Sequence, residues 1–374
     1  MNINLDLQCV NIKGTGIAEF ANMLIRYLQE KPDLRLHGYL SKLHQTAEET
    51  DFARFNFPIQ IGRIPISVLN SRKLSHPLPL YYHWLAGNKA DVNLYFTWNI
   101  KRVHYSGITI ATIHDLIALR TEMENQTIVD EQRNDLSYTV NHCDYIITVS
   151  ESSKKDIIQE LNYPKDRIHV VPNGIDFEHF NKKISESKAT EIRKKYHLPE
   201  KFILYLGGMR KHKNIERLIK AYSILPKELQ DEYKLVITKG TDGLRKLVGE
   251  LNLSDNIVFT AFIDDEDKVG MYQLASLYAY ISLYEGFGIP VIEAQAAGTP
   301  VITSNTSSLP EVAGDSAVCV DPTSIEAIAE GIKDILTDDN LRSGLISKGY
   351  TNAKRYSCEN AGENLFKFLI SLKK

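Results

Sequence analysis

The stretch Tyr284-Glu285-Gly286-Phe287-Gly288-Ile289-Pro290-Val291-Ile292-Glu293-Ala294 restricts the possible folds more than any other part of the chain. An apolar run ending at Ser282-Leu283 reads as a buried strand. Glu285, Gly286 and Gly288 interrupt it, and Pro290 opens a helix that runs through Ala297. Proline suits the first helical position, where its missing N–H costs nothing. The glycines let the backbone come close to whatever lies above the turn. The unpaired N–H groups there, with the positive end of the helix dipole, form a site for an anion. A carboxylate beside a phosphate would be repelled, so Glu285 and Glu293 each need a neutral partner, and sugar hydroxyls supply one. An anion site flanked by two hydroxyl acceptors fits a nucleotide sugar. An ordinary turn between two surface glutamates would explain the bare E-x7-E spacing; the intervening Gly-Phe-Gly-Ile-Pro favours the ligand.

A chain of 374 residues exceeds one ordinary core and predicts two domains. Its net charge of −3 argues against nucleic acid as a partner. Cys9, Cys143, Cys319 and Cys358 form no C-x-x-C pair, the pattern of a reduced, cytoplasmic protein without a zinc site. The first residues lack a signal-peptide core, and no apolar run approaches the roughly 20 residues of a membrane span. Membrane contact is therefore expected to be peripheral.

Strand, loop and helix alternate along the chain. Ile3–Leu7 alternates like a strand and leads through Gly14-Thr15-Gly16 into an amphipathic helix, the opening of an open α/β sheet. A dinucleotide fingerprint would need a third glycine and a later acid, and neither is clear. Residues 59–87 interleave basic, aromatic and proline residues. They read either as a surface for a lipid-linked acceptor or as a loop-rich part of the first core. Strand Ile108–Ile113 ends in His114-Asp115, where ligands collect in parallel sheets. Asp115 reads as a cap. Ser150 reads as the N-cap of a helix starting at Glu151. Residues 177–199, rich in Lys, Glu and Ser, read as a linker.

The second half begins with strand Phe202–Leu206, followed by Gly207-Gly208-Met209-Arg210-Lys211-His212-Lys213-Asn214 and a helix. Cations between a strand and a helix N-terminus form a second anion cradle; a solvated basic loop is the plainer alternative. Lys239 and Phe262, each following a strand, are placed to border and stack on a base. Asp265-Glu266-Asp267 has the D-x-D form of a metal site, but acids in a first helical turn complement the dipole, and this reading prevails.

The E-x7-E stretch, continued by Gly298-Thr299-Pro300-Val301 and Ser308-Leu309-Pro310-Glu311-Val312, resembles the signature of retaining glycosyltransferases of the family-4 type, nearest the bacterial O-antigen mannosyltransferases. The likeness is close over the second half and holds in outline over the first. It implies the GT-B fold: two Rossmann-like domains facing across a cleft, an acceptor-side domain over 1–176, the linker 177–199, a nucleotide-sugar domain over 200–356, and a final helix (about 357–374) packing back on the first. It also implies roles. Glu293, with Phe287, Gly288, Ile289, Gly14 and Gly16, would hold the donor, beside Lys239 and Phe262, which are read from their places after strands. Glu285 and His114 would contact its sugar, and Arg210 and Lys213 the leaving diphosphate. No metal or other cofactor is implied. The expected donor is GDP-mannose, ahead of dTDP-rhamnose and UDP-sugars. The expected acceptor is a glycan, free or linked to undecaprenyl diphosphate, in polysaccharide or O-antigen synthesis at the inner membrane face. A non-hydrolysing nucleotide-sugar epimerase and a non-catalytic nucleotide-sugar-binding protein are the alternatives.

Overall fold

Short β-branched and aromatic runs separated by amphipathic helices dictate parallel strands joined by crossovers, because parallel neighbours cannot be linked by a tight turn. The computed structural model describes residues 1–10, 15–41, 54–62, 90–100, 107–120 and 126–373. Gly14 and most of 59–87 lie outside the described residues. The chain divides into two compact units, one formed by Met1–Gly174 with Cys358–Lys374, the other by Ile175–Ser357.

The first unit holds β1 (Asn2–Asp6), β2 (Arg35–Ser41), β3 (Ile59–Gly62), β4 (Val92–Tyr95), β5 (Ile108–Thr112), β6 (Tyr145–Thr148) and β7 (Ile168–Val170). They lie in the order β3-β2-β1-β4-β5-β6-β7, every pairing parallel. Helix α1 (Gly16–Leu28) starts at Thr15, whose hydroxyl accepts from the Ala18 N–H, and it buries Phe20, Ala21, Leu24, Ile25 and Leu28. Helix α2 (Glu151–Leu161) is capped by Ser150, whose Oγ accepts from the Ser153 N–H at 3.0 Å. The C-terminal helix Cys358–Ser371 belongs to this unit. It meets α1 at Gly362, where an added Cβ would stand 2.2 Å from Cγ of Tyr27. On β7, His169 stacks on Phe368 of the same helix at 4.2 Å.

The second unit holds β8 (Phe202–Tyr205), β9 (Lys234–Thr238), β10 (Ile257–Thr260), β11 (Leu277–Tyr280), β12 (Val301–Ser304) and β13 (Val318–Val320), in the all-parallel order β10-β9-β8-β11-β12-β13. The chain moves outward from β8 to β9 and β10, then returns to set β11 beside β8. That reversal opens a crevice at the carboxyl ends of β8 and β11, the place where open α/β sheets bind ligands.

Residues 177–199, expected to be a linker, instead contain the helices Phe177–Asn181 and α3 (Glu186–Tyr196), both within the second unit. Ile192 and Tyr196 of α3 are buried, and Lys188, Lys195 and Tyr196 all bond to the buried carboxylate of Asp267. Among the described residues no helix is long and apolar enough to cross a membrane.

Candidate active site

Two loops meet at the crevice of the second unit. One follows β8 and leads through a 3₁₀ turn (Lys211–Lys213) into α4 (Ile215–Ser223). The other follows β11 and leads into α6 (Ile289–Ala297), with α5 (Lys268–Leu274) packed alongside. Asn214 fastens the first to the second: its Nδ2 donates to the Ile281 carbonyl at 3.0 Å and the Pro322 carbonyl at 2.7 Å. The Leu283 N–H adds a bond to the His212 carbonyl at 2.7 Å.

The loop before α6 takes its form from Gly288, whose φ of +107° is open to few other residues and whose missing Cβ leaves room for Leu309 Cδ2, 2.7 Å from where that atom would stand. Helix α6 begins at Ile289, so Pro290 occupies its second position, one later than expected. Two serines brace the turn. Ser307 Oγ accepts from the Glu285 N–H at 3.0 Å, and Ser308 Oγ lies 2.9 and 2.8 Å from the carbonyls of Glu285 and Phe287. Phe287 is buried edge-on against Tyr356, so its backbone, not its ring, is what this turn offers a ligand.

Glu285 and Lys213 come together directly, Oε1 to Nζ at 2.6 Å, with Tyr280 OH 2.8 Å from the same nitrogen. Glu293, only 3 % exposed, accepts from Lys268 Nζ at 2.6 Å and from Tyr272 OH at 2.8 Å. Arg210 is exposed at the start of the 3₁₀ turn. Buried His212 is pushed down to about 4 by burial and by the positive charges of Lys213 and Arg210. At the carboxyl ends of β9 and β10, Lys239 Nζ sits 4.5 Å from the ring centroid of Phe262, which is 61 % exposed. Lys239 itself adopts a left-handed φ of +59°.

Beneath the crevice the rings of Tyr205, Tyr280, Tyr278 and Tyr272 form a chain, neighbouring centroids 6.4, 5.8 and 5.1 Å apart. Their hydroxyls reach up to the site. Tyr205 donates to the Gly208 carbonyl, Tyr278 to that of Leu206 and Tyr272 to Glu293, while Tyr280 meets Lys213. Sequence reading missed Lys268, Tyr272 and Tyr280. The four-residue spacing of Lys268 and Tyr272, which puts both on one face of α5, was the available signal.

The acids Asp264, Glu266 and Asp267 are close enough to share a cation. In this structure Lys188 and Lys195 supply positive charge to Asp267, at 2.7 and 2.6 Å.

In the first unit, His114 follows β5 and is 8 % exposed. Its Nε2 lies 3.0 Å from the Phe96 carbonyl, so that nitrogen carries the proton, and Phe20 packs edge-on at 5.0 Å. Burial lowers its pKa to about 4, the bond to Phe96 opposing, and the ring is neutral at pH 7. Asp115 caps, its Oδ1 accepting from the Ile117 N–H at 3.0 Å. Gly16 is the first residue of α1.

Two family models divide the chain between them: Glycosyltransferase Family 4 matches residues 16–179 and Glycosyl transferases group 1 matches residues 188–352. O-antigen chain mannosyltransferase B of Escherichia coli is 30 % identical over 361 residues, 92 % of this chain and 93 % of that protein. Among solved structures, sucrose-phosphate synthase from Thermosynechococcus elongatus superposes with a TM-score of 0.76 at 20 % identity, covering 100 % of this chain and 99 % of its own. The Anabaena protein HepE, solved in complex with UDP and glucose, gives 0.75 at 17 %, covering 99 % and 100 %. The protein is thus a glycosyltransferase, belonging to the family-4 type and built on the GT-B fold of two parallel-sheet Rossmann-like domains.

Proposed function

We propose that this enzyme transfers mannose from GDP-mannose, with retention of anomeric configuration, to a glycan or an undecaprenyl-diphosphate-linked glycan in O-antigen or related polysaccharide synthesis at the cytoplasmic membrane face. The mannosyl and O-antigen parts draw on the Escherichia coli relative. The observation that carries the donor reading is the convergence of Lys213, Glu285 and the N-terminus of α6 at one crevice.

In this reading Lys213, Arg210 and the N–H groups at Gly288 and Ile289 face the diphosphate. As the bond from the anomeric carbon to the phosphate oxygen breaks, both electrons stay on that oxygen. Cations already in place stabilise the growing charge without reorganising, and no metal is needed. The acceptor hydroxyl bonds to the same face of the sugar and its proton passes to the departing phosphate. Glu293 takes ribose hydroxyls through the lone pairs that Lys268 and Tyr272 leave open, since a carboxylate accepts about four hydrogen bonds. Glu285 takes hydroxyls of the sugar. Phe262 and Lys239 border the base.

Calorimetry with GDP-mannose, UDP-glucose, UDP-N-acetylglucosamine and dTDP-rhamnose, with EDTA present, tests this. Glu293→Gln keeps the shape of the side chain. The expected result is binding of GDP-mannose alone, weakened about tenfold by the substitution, a loss of about 1.4 kcal/mol. Binding of none of the four, or indifference to Glu293, would remove the donor reading. A product with inverted anomeric configuration in the NMR spectrum would remove retention.

A further inference from the structure

The groups assigned to two different parts of the donor, Lys213 to its diphosphate and Glu285 to its sugar, are bonded to each other. Their side chains are 15 % and 11 % exposed, so the attraction is poorly screened. Tyr280, 2 % exposed on β11, contributes the third member of the cluster. Burial and the Glu285 carboxylate hold its hydroxyl well above its ordinary pKa, so it stays uncharged.

A ligand that carries only a diphosphate must draw Nζ away from Glu285, leaving that carboxylate without its cation beside new negative charge. A ligand that also carries a sugar returns O–H donors to the same carboxylate. We infer that Glu285 is an intramolecular competitor for Lys213: it makes the site favour the intact nucleotide sugar over the bare nucleoside diphosphate and, once the sugar has gone, reclaims the lysine and promotes release of the diphosphate product. Tyr280 is a positioning residue. Its neutral oxygen holds Nζ both in the ion pair and on the phosphate, so it keeps the lysine at its station through the exchange. This inference rests on the donor site proposed above.

The test titrates GDP and GDP-mannose into wild type, Glu285→Gln, Lys213→Ala and Tyr280→Phe, each checked for folding by thermal unfolding. Glu285→Gln is expected to bind GDP about tenfold more tightly than wild type, as loss of a close, poorly screened charge partner allows. It should bind GDP-mannose more weakly, so the preference between the two reverses. Should Glu285→Gln fail to fold, Glu285→Ala carries the same expectation for GDP. Tyr280→Phe should weaken both ligands by the same factor, and adding it to Lys213→Ala should weaken neither further. GDP binding unchanged or weakened by loss of Glu285, while still dependent on Lys213, would overturn the competitor role alone. Additive effects of the Tyr280 and Lys213 substitutions would overturn the positioning role. If wild type does not bind GDP, or Lys213→Ala leaves its binding intact, the donor site fails and takes the inference with it.

Discussion

Glu293 has two protein partners, so removing it does more than take a group from a ligand. Glu293→Ala strands the Lys268 ammonium and the fully buried Tyr272 hydroxyl. Urea denaturation should show a loss of about 3 kcal/mol, and Glu293→Gln, which keeps an acceptor, should lose less than half of that. His114 makes a second prediction. Its folded pKa of about 4 lies below its ordinary 6.5. The unfolded chain therefore binds the proton first, and the stability this ring contributes is whole above pH 6.5 and falls away as the pH drops toward 4. His114→Gln should flatten the pH dependence of the urea midpoint in that window, less the shares due to His212 and His169, whose pKa values burial also lowers. Glu285, Glu293 and Lys213 were readable because their residue types stand at set distances from glycine turns. Tyr280 was not: a tyrosine in an apolar run reads as core, and the partner of its hydroxyl, Lys213, reaches it only once strand and turn have packed. For Phe287 the residue type did not say which part is presented: the fold buries its ring and leaves its backbone at the turn.

Helix α3 shows the same limit in an element. Lys, Glu and Ser dominate it, and only Ile192 and Tyr196 are buried, so its sequence carries little of the apolar stripe that announces a helix against a core. Beside the packing of Ile192 on Gly270 of α5, charge docks it. Burial alone would raise the Asp267 carboxyl, but Lys188, Lys195 and Tyr196 overcome this and hold it at about 2. Because that value lies below the ordinary 3.8, the stabilisation is present above pH 3.8 and is lost as the pH falls toward 2. Asp267→Asn should cost on the order of 2 kcal/mol at pH 7, and the gap from wild type should close near pH 2 in matched denaturation curves. The neighbouring residue is Lys268, which holds Glu293, so α3 steadies one wall of the crevice. By contrast, the strand–turn–helix elements on either side of the crevice were plain in the sequence, since glycine, proline and a change of hydrophobic period mark their ends.

Across the whole chain, the second unit is one continuous segment, whereas the first is assembled from two. Residues 175–357 expressed alone should unfold cooperatively in urea. Residues 1–174 alone should not, until a peptide covering 358–373 is supplied, because the C-terminal helix covers α1. Gly362→Ala should destabilise the first unit by about 1–3 kcal/mol, since the new methyl group meets the root of the Tyr27 ring rather than a movable end; differential scanning calorimetry would show it as a shift of one transition only. The sequence placed the last helix with the first domain through family resemblance alone, because its apolar face does not say which partner it covers. The return of that helix also sets an order of events on the ribosome. Domains generally mature as they emerge, the N-terminal one first. Here the first sheet leaves the exit tunnel early but waits for its closing helix while all of 175–357 is being translated. The later segment is therefore the first of the two to have its whole sequence available for folding, and the earlier one stays without its last helix until translation passes residue 371.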